Sequence, residues 1–269
     1  MKKPLACLIA IIAAFSISSC SSNSATNGNA TSNNVQNESV QNDKDTAVEQ
    51  DAEDPEQPTP QVSVSSLDEL NTEVTEYIDS EIADLQAHYD GLTAEIGDYN
   101  AYVENVEKVQ QFYASALSST QTICLQMYQF ALDYATFVTT SDKDFPDQYD
   151  DMEELYDVVY DEEGERIYDE IYDGIMSDAY DYFYDGIVSD GYDLASYDEW
   201  SDYSSNEYEQ WSDALSDIYE VWSDTRSDIY EFYSDVRSDV YSKEKEEVEK
   251  DISRFQEDMT DLSEDLLAE

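Results

Sequence analysis

Residues 211–243 read Trp211-Ser-Asp-Ala-Leu-Ser-Asp-Ile-Tyr-Glu-Val221, then Trp222-Ser-Asp-Thr-Arg-Ser-Asp-Ile-Tyr-Glu-Phe232, then Tyr233-Ser-Asp-Val-Arg-Ser-Asp-Val-Tyr-Ser-Lys243. Eleven residues fill three turns of an α-helix at 3.67 residues per turn, so each repeat position stands almost directly above its predecessor. On that wheel Ile218, Ile229, Val240, Trp211, Trp222, Tyr233, Tyr219, Tyr230 and Tyr241 share one side, with Val221, Phe232 and Val236 at its margin. The other side carries serines and an acidic stripe of Asp213, Asp217, Glu220, Asp224, Asp228, Glu231, Asp235 and Asp239. An apolar arc near half the circumference predicts packing against more than one helix. Arg226 and Arg237 interrupt the apolar side, each flanked at i−4 and i+4 by aromatic residues on which a guanidinium can stack. After residue 243 a heptad pattern resumes through Val248, Ile252, Phe255, Met259, Leu262 and Leu266.

Upstream, a second periodic stretch sets the rest of the fold class. Ile82, Tyr89, Ile96, Val103, Gln110, Leu117, Cys124, Ala131 and Val138 recur every seven residues. So do Ile78, Leu85, Leu92, Tyr99, Val106, Tyr113, Thr120, Met127 and Tyr134. All but Gln110 and Thr120 are apolar or aromatic, which predicts a helix in left-handed coiled-coil packing. Ser66-Leu67-Asp68-Glu69 has the spacing of a capping box and starts it. A continuous helix over 67–139 would be about 110 Å long. Gly91 and Gly97 lie off the seam, where they can bend it. Between Pro60 and the C-terminus the only proline is Pro146, and proline costs about 3 kcal/mol inside a helix. The loop is therefore expected over 141–148. Tyr156, Tyr160, Tyr168, Tyr172, Tyr180, Tyr184 and Tyr192 follow at four-residue steps or multiples of four. On an α-helix such steps wind around the axis, and Gly174, Gly186 and Gly191 weaken the helix, so an interrupted helix is expected.

The expectation is thus an all-α chain: an elongated antiparallel bundle or coiled coil of two or three long helices. It comprises a heptad helix over 65–140 and an acidic Tyr/Asp-rich helical region over 149–269. It folds back over 141–148, with a further fold over 196–204.

What precedes residue 65 is of another kind. Met1-Lys2-Lys3 is a positive start, and Leu5 to Phe15 is almost wholly apolar but shorter than the about 20 residues a membrane crossing needs. The stretch ends in Ile17-Ser18-Ser19-Cys20, which resembles the lipobox of bacterial lipoproteins. That resemblance covers the leader alone. It implies a signal peptide over 1–19, cleavage before Cys20, a diacylglyceryl thioether on Cys20, and a further acyl chain such as palmitate on the new amino terminus. Two or more chains suffice for stable anchoring. The implied location is extracytoplasmic, lipid-anchored to the cell membrane or the outer membrane. Ser21 stands where some Gram-negative lipoproteins carry an inner-membrane retention aspartate. Residues 20–64 are polar, end in Pro55, Pro58 and Pro60, and lack apolar groups to bury, so they read as a lipidated disordered tether. About 44 such residues span about 35 to 40 Å on average.

Composition narrows the function classes. The chain has 12 basic and 65 acidic residues, a net charge of −53, and becomes more negative once Lys2 and Lys3 leave with the leader. Nucleic acid is excluded as a partner, because phosphate binding needs a basic footprint. With 23 tyrosines the chain is nevertheless too aromatic to be wholly disordered. Cys124 is the one thiol left after lipidation and lies on the seam, so it reads as core and no intramolecular disulfide is expected. His88 is the sole histidine and sits beside the seam. There is no Gly-rich phosphate loop and no Gly-x-Ser-x-Gly, and Pro146 occupies a ligand position of the calcium-loop-like Asp142–Asp144 segment. The expectation is no enzyme, no catalytic residues, no cofactor and no dedicated metal site. Two classes remain. One is a structural, spacer or scaffold lipoprotein of the cell envelope. The other is a binding lipoprotein whose acidic, Tyr-rich surface captures a cationic, metal or carbohydrate partner, with the stripe from Asp213 to Asp239 as the cation-facing element. Self-association through helix faces is a further expected partnership.

Overall fold

The structure is a computed structural model that describes residues 65–268, with the side chains of 261 and 264–269 excepted. The leader, Cys20 and the tether lie outside the described residues. Among those described every regular element is helical: α1 (Leu67–Glu95), α2 (Tyr99–Thr139) and α3 (Phe145–Asp151), then a run of alternating π and α turns, then α6 (Tyr197–Ser242) and α7 (Lys245–Ala268). The run consists of π1 (Leu155–Glu163), α4 (Gly164–Ile167), π2 (Tyr168–Ile175), α5 (Met176–Ala179) and π3 (Tyr180–Val188). No described helix is long and apolar enough to cross a membrane.

Ser66 caps α1 as its spacing predicts, accepting the amide proton of Glu69 at 3.2 Å. The return contact is displaced by one residue: the Glu69 carboxylate accepts from the backbone amide and the hydroxyl of Ser65, both at 2.8 Å.

The expected single helix over 65–140 is two. Ile96 leaves the helical region (φ −103°, ψ 87°), Gly97 follows, and Asp98 starts α2 by accepting the amide proton of Ala101 at 3.0 Å. The chain then folds back. Glu95 pairs with Lys108, His88 and Tyr89 meet Phe112, Tyr77 meets Phe130, and Asn71 accepts from the Tyr134 hydroxyl. The heptad seam is buried over most of its length on both sides of the break. Ile78, Ile82, Leu85, Leu92 and Ile96 are buried where the seam places them. Around Asn105, whose φ of −125° and ψ of 15° kink α2, the seam residues Val103, Val106, Gln110 and Leu117 are only half-buried and Val109, Phe112, Ala116 and Ile123 join the core, while Tyr113, Thr120, Cys124, Met127, Ala131, Tyr134 and Val138 are buried where the seam places them.

The loop expected over 141–148 is shorter. Asp144 caps α3 through the amide of Asp147, and Pro146 sits in the first helical turn, where its missing N–H costs nothing. Gln148 is buried and its amide donates to the carbonyl of Ser141 at 3.2 Å, closing the turn.

Two further turns isolate α6. Ser196 caps its start through Glu199, and Lys243 ends it in the left-handed region at φ 63°, with the Glu244 amide donating to the Asp239 carbonyl at 3.0 Å. Helix α7 folds back on α6, with Phe232 and Phe255 stacked at 4.0 Å and Arg254 on Asp235 at 2.8 Å. The buried face of α6 is rotated from the expected one. Ile218, Ile229, Tyr233 and Val240 are buried as expected, joined by Phe232, Val236 and Thr225. The repeat tyrosines Tyr219, Tyr230 and Tyr241 are not core.

Gly191 lies where two parts of the chain approach closely. A β-carbon there would stand 2.2 Å from the Tyr99 ring, so only glycine admits α2 at this corner.

Candidate binding surface

The interrupted helix expected over 149–201 is explained by a numerical mismatch. Along α6 the aromatic residues recur every eleven residues; along the facing π-rich run they recur every twelve. Twelve residues fill the same three turns only if each repeat takes in one extra residue, and π turns supply it. The tyrosines do not wind around the axis, because each π turn returns the pattern to one face. They stack in pairs instead: Tyr156 on Tyr160 at 5.0 Å, Tyr168 on Tyr172 at 4.7 Å, Tyr180 on Tyr184 at 5.0 Å.

Each pair receives two aromatic rings from α6. Trp211 lies 4.4 Å from Tyr180, Trp222 lies 4.7 Å from Tyr168, and Tyr233 lies 5.3 Å from Tyr156. The second ring is Tyr208 at 5.7 Å from Tyr184, Tyr219 at 5.8 Å from Tyr172, and Tyr230 at 5.4 Å from Tyr160. Three four-ring layers result, each pair of rings in them contributing about 0.5 to 1.5 kcal/mol beyond area burial. Indole hydrogen bonds lock the register. Trp200, Trp211 and Trp222 donate to the carbonyls of Val188, Met176 and Gly164 at 2.8, 2.9 and 2.7 Å, acceptors twelve residues apart.

The inner rings are covered, whereas the outer ones face solvent. Tyr208, Tyr219, Tyr230 and Tyr241 are 48%, 47%, 49% and 73% exposed, each one repeat from the next. The first three are each followed by an exposed glutamate: Glu209, Glu220 and Glu231.

Between Tyr219 and Tyr230 lies a groove of about 580 Å3 lined by Tyr160, Trp222, Arg226, Glu231 and Asp235 with serines 223, 227 and 234. Arg226 spreads its guanidinium over Tyr160 at 4.4 Å and over Trp222 at 5.2 Å. It stacks on its i−4 neighbour as the spacing suggests, but its second ring comes from π1 and not from Tyr230. Arg226 makes no ion pair or hydrogen bond among the described residues, and its Nε is buried without a partner. Arg237, one repeat on, differs: it pairs with Glu153 at 3.3 Å, donates to the Tyr233 hydroxyl at 2.5 Å and covers Tyr149 at 4.1 Å.

The acidic stripe is less uniform than its sequence. Asp213, Asp217, Glu220, Asp224 and Glu231 are exposed. Asp228 accepts from the Tyr128 hydroxyl at 2.6 Å, Asp235 holds Arg254, and Asp239 stands by Asp251. Burial, offset by Arg254 and reinforced by Asp239 and Asp235, pushes the Asp251 carboxyl up to about 6. Among the described residues no three His, Cys, Asp or Glu side chains converge on a point where a metal ion could sit.

Cys124 is buried on the seam, and burial pushes its thiol up to about 12, so it is an unreactive filler at neutral pH. His88 is exposed and lies edge-on to Phe112 at 5.4 Å. A buried carboxylate with no counterpart in the sequence reading is Glu207, which accepts from the hydroxyls of Tyr102 and Tyr113, both at 2.6 Å. Burial raises its pKa and the two phenols pull the other way.

Comparison with protein-family models, with curated proteins and with solved structures finds no match for this chain.

Proposed function

We propose that this chain is an extracytoplasmic lipoprotein, anchored by lipid on Cys20, whose helical part is a scaffold of the cell envelope. In this reading residues 20–64 are a tether, and the helices form an elongated antiparallel bundle that projects from the membrane and catalyses nothing. The observation that carries the scaffold role is the eleven-against-twelve register. Three aromatic layers, each pinned to its neighbour element by stacking or an indole hydrogen bond, make a stiff and periodic body. The anchor is tested by metabolic labelling with a fatty-acid probe. Label should enter the wild-type protein and vanish in Cys20→Ala; label retained in the variant would remove the anchor. The shape is tested by small-angle scattering of the purified protein, and a compact profile would remove the elongated bundle.

A second reading, capture of a partner, is favoured by one observation. Four outer tyrosines remain about half exposed or more at repeat spacing, and an exposed tyrosine offers a partner both an apolar ring and a polar tip.

A further inference from the structure

We infer that the groove between Tyr219 and Tyr230 is a binding site for a neutral glycan chain, an assignment that rests on the capture reading and names its ligand class.

Charge removes the alternatives one at a time. A polyanion approaching a chain of net charge −53 is repelled before it reaches the groove. A cationic side chain is attracted from afar, but inside the groove the guanidinium of Arg226 already occupies the inner aromatic faces of Tyr160 and Trp222, and of the two lining carboxylates Asp235 is already paired with Arg254. A purely apolar ligand would strip water from Ser223, Ser227, Ser234, Glu231 and Arg226 and return no hydrogen bonds. What remains is a neutral ligand with both C–H faces and hydroxyls. Saccharide rings have that chemistry: their C–H faces lie on tyrosine rings, and their hydroxyls bond both donors and acceptors. Arg226 lines the groove with a guanidinium that makes no hydrogen bond of its own among the described residues, Glu231 supplies an acceptor, and the serines serve as either.

The repeat supplies the argument for a chain over a single sugar. Tyr208-Glu-Gln-Trp211-Ser, Tyr219-Glu-Val-Trp222-Ser and Tyr230-Glu-Phe-Tyr233-Ser present the same aromatic, acidic and hydroxyl groups at steps of about 16.5 Å along α6. A polymer of repeating units that follows the helix meets one Tyr-Glu step after another, and weak contacts at each sum to avidity. Arg226 distinguishes the Tyr219–Tyr230 interval, since the equivalent residue one repeat earlier is Leu215 and one repeat later is the ion-paired Arg237.

The test titrates the full-length protein in detergent with three sets of probes, following tryptophan fluorescence. The neutral set is cello-, malto-, manno- and chito-oligosaccharides; the anionic probe is polygalacturonate; the cationic probe is polylysine. The expected result is binding within the neutral set that strengthens with chain length. It should weaken about tenfold or more in Tyr219→Ala/Tyr230→Ala and in Arg226→Met, and stay unchanged in Tyr192→Ala, an exposed aromatic outside the groove. Circular dichroism of each variant confirms that the helices persist. Neutral binding that ignores the Tyr219 and Tyr230 changes overturns the site. Binding of polylysine alone overturns the glycan assignment and binding of polygalacturonate alone overturns its neutral charge, each leaving capture standing, whereas no binding in any arm overturns both.

Discussion

The indole nitrogen of Trp222 donates to the carbonyl oxygen of Gly164 at 2.7 Å, tying a helix of eleven-residue repeats to one of twelve. A β-carbon on Gly164 would stand 3.2 Å from the Arg226 Nε, so the same glycine also makes room for the guanidinium. Trp222→Phe removes the donor but keeps most of the ring. It should cost about 1 kcal/mol in chemical denaturation, the net worth of one hydrogen bond, and Trp222→Ala should cost clearly more. No loss in Trp222→Phe would mean that the hydrogen bond does not hold the register.

Acid should stabilise this protein over a range where most proteins are unaffected or weakened. Burial, reinforced by Glu73 and opposed by a hydrogen bond from Gln129, pushes the Asp133 carboxyl up to about 6, and Asp251 reaches about 6 as well. A carboxyl whose pKa is raised on folding binds its proton more tightly in the folded state. Its stabilisation is full below the unfolded value near 4 and is lost as pH rises through about 6. The melting temperature should therefore climb from pH 7 to about pH 5. Asp133→Asn should raise the pH 7 value by about 2 kcal/mol of stability and flatten the profile. A melting temperature that falls over that interval would contradict the assignment.

Gly191→Ala places a methyl group inside the Tyr99 ring, and overpacking of this kind costs about 1 to 3 kcal/mol. Pairing it with Tyr99→Leu should recover part of that loss, because the shorter side chain vacates the clash. Additive losses in the double-variant cycle would show that the two residues do not meet.

The stripe from Asp213 to Asp239 should show no preference for calcium. Three of its eight members are already engaged or crowded by Tyr128, Arg254 and Asp251, and the others point outward along one helix without converging. Melting shifts in calcium chloride and in sodium chloride of equal ionic strength should coincide, since screening alone is at work. A larger shift in calcium that disappears when Asp213, Asp217 and Asp224 become asparagine would instead establish a cation site.

The helical class was legible from two periodicities and a scarcity of proline, because those patterns act locally. The break at Gly97-Asp98 was legible only in part. Both residues carry turn chemistry, but a heptad that continues in register across them conceals it. The rotation of α6 was hidden for a different reason: its wheel has too many aromatic residues for one core. Which of them face outward depends on the elements packed around α6: Tyr219 and Tyr230 lie at the rim of the twelve-residue run, while Phe232 is buried against Phe255 of α7. The Tyr172-Asp-Gly and Tyr184-Asp-Gly recurrence contains that period of twelve, yet its meaning needs the period of eleven beside it. Of the candidate site, the stacking of Arg226 on Trp222 followed from i−4 spacing. Tyr160 as its second partner did not, since nothing local joins residues 160 and 226.

Two rulers of unequal graduation, laid edge to edge and pinned at every mark, cannot be lengthened independently. Adding a rung means inserting eleven residues on one side and twelve on the other in a single event. A lone insertion on either side leaves every mark beyond it out of coincidence. The length of the tyrosine surface is therefore quantised in steps of about 16.5 Å, and any lineage of such chains can differ in reach only by whole paired units.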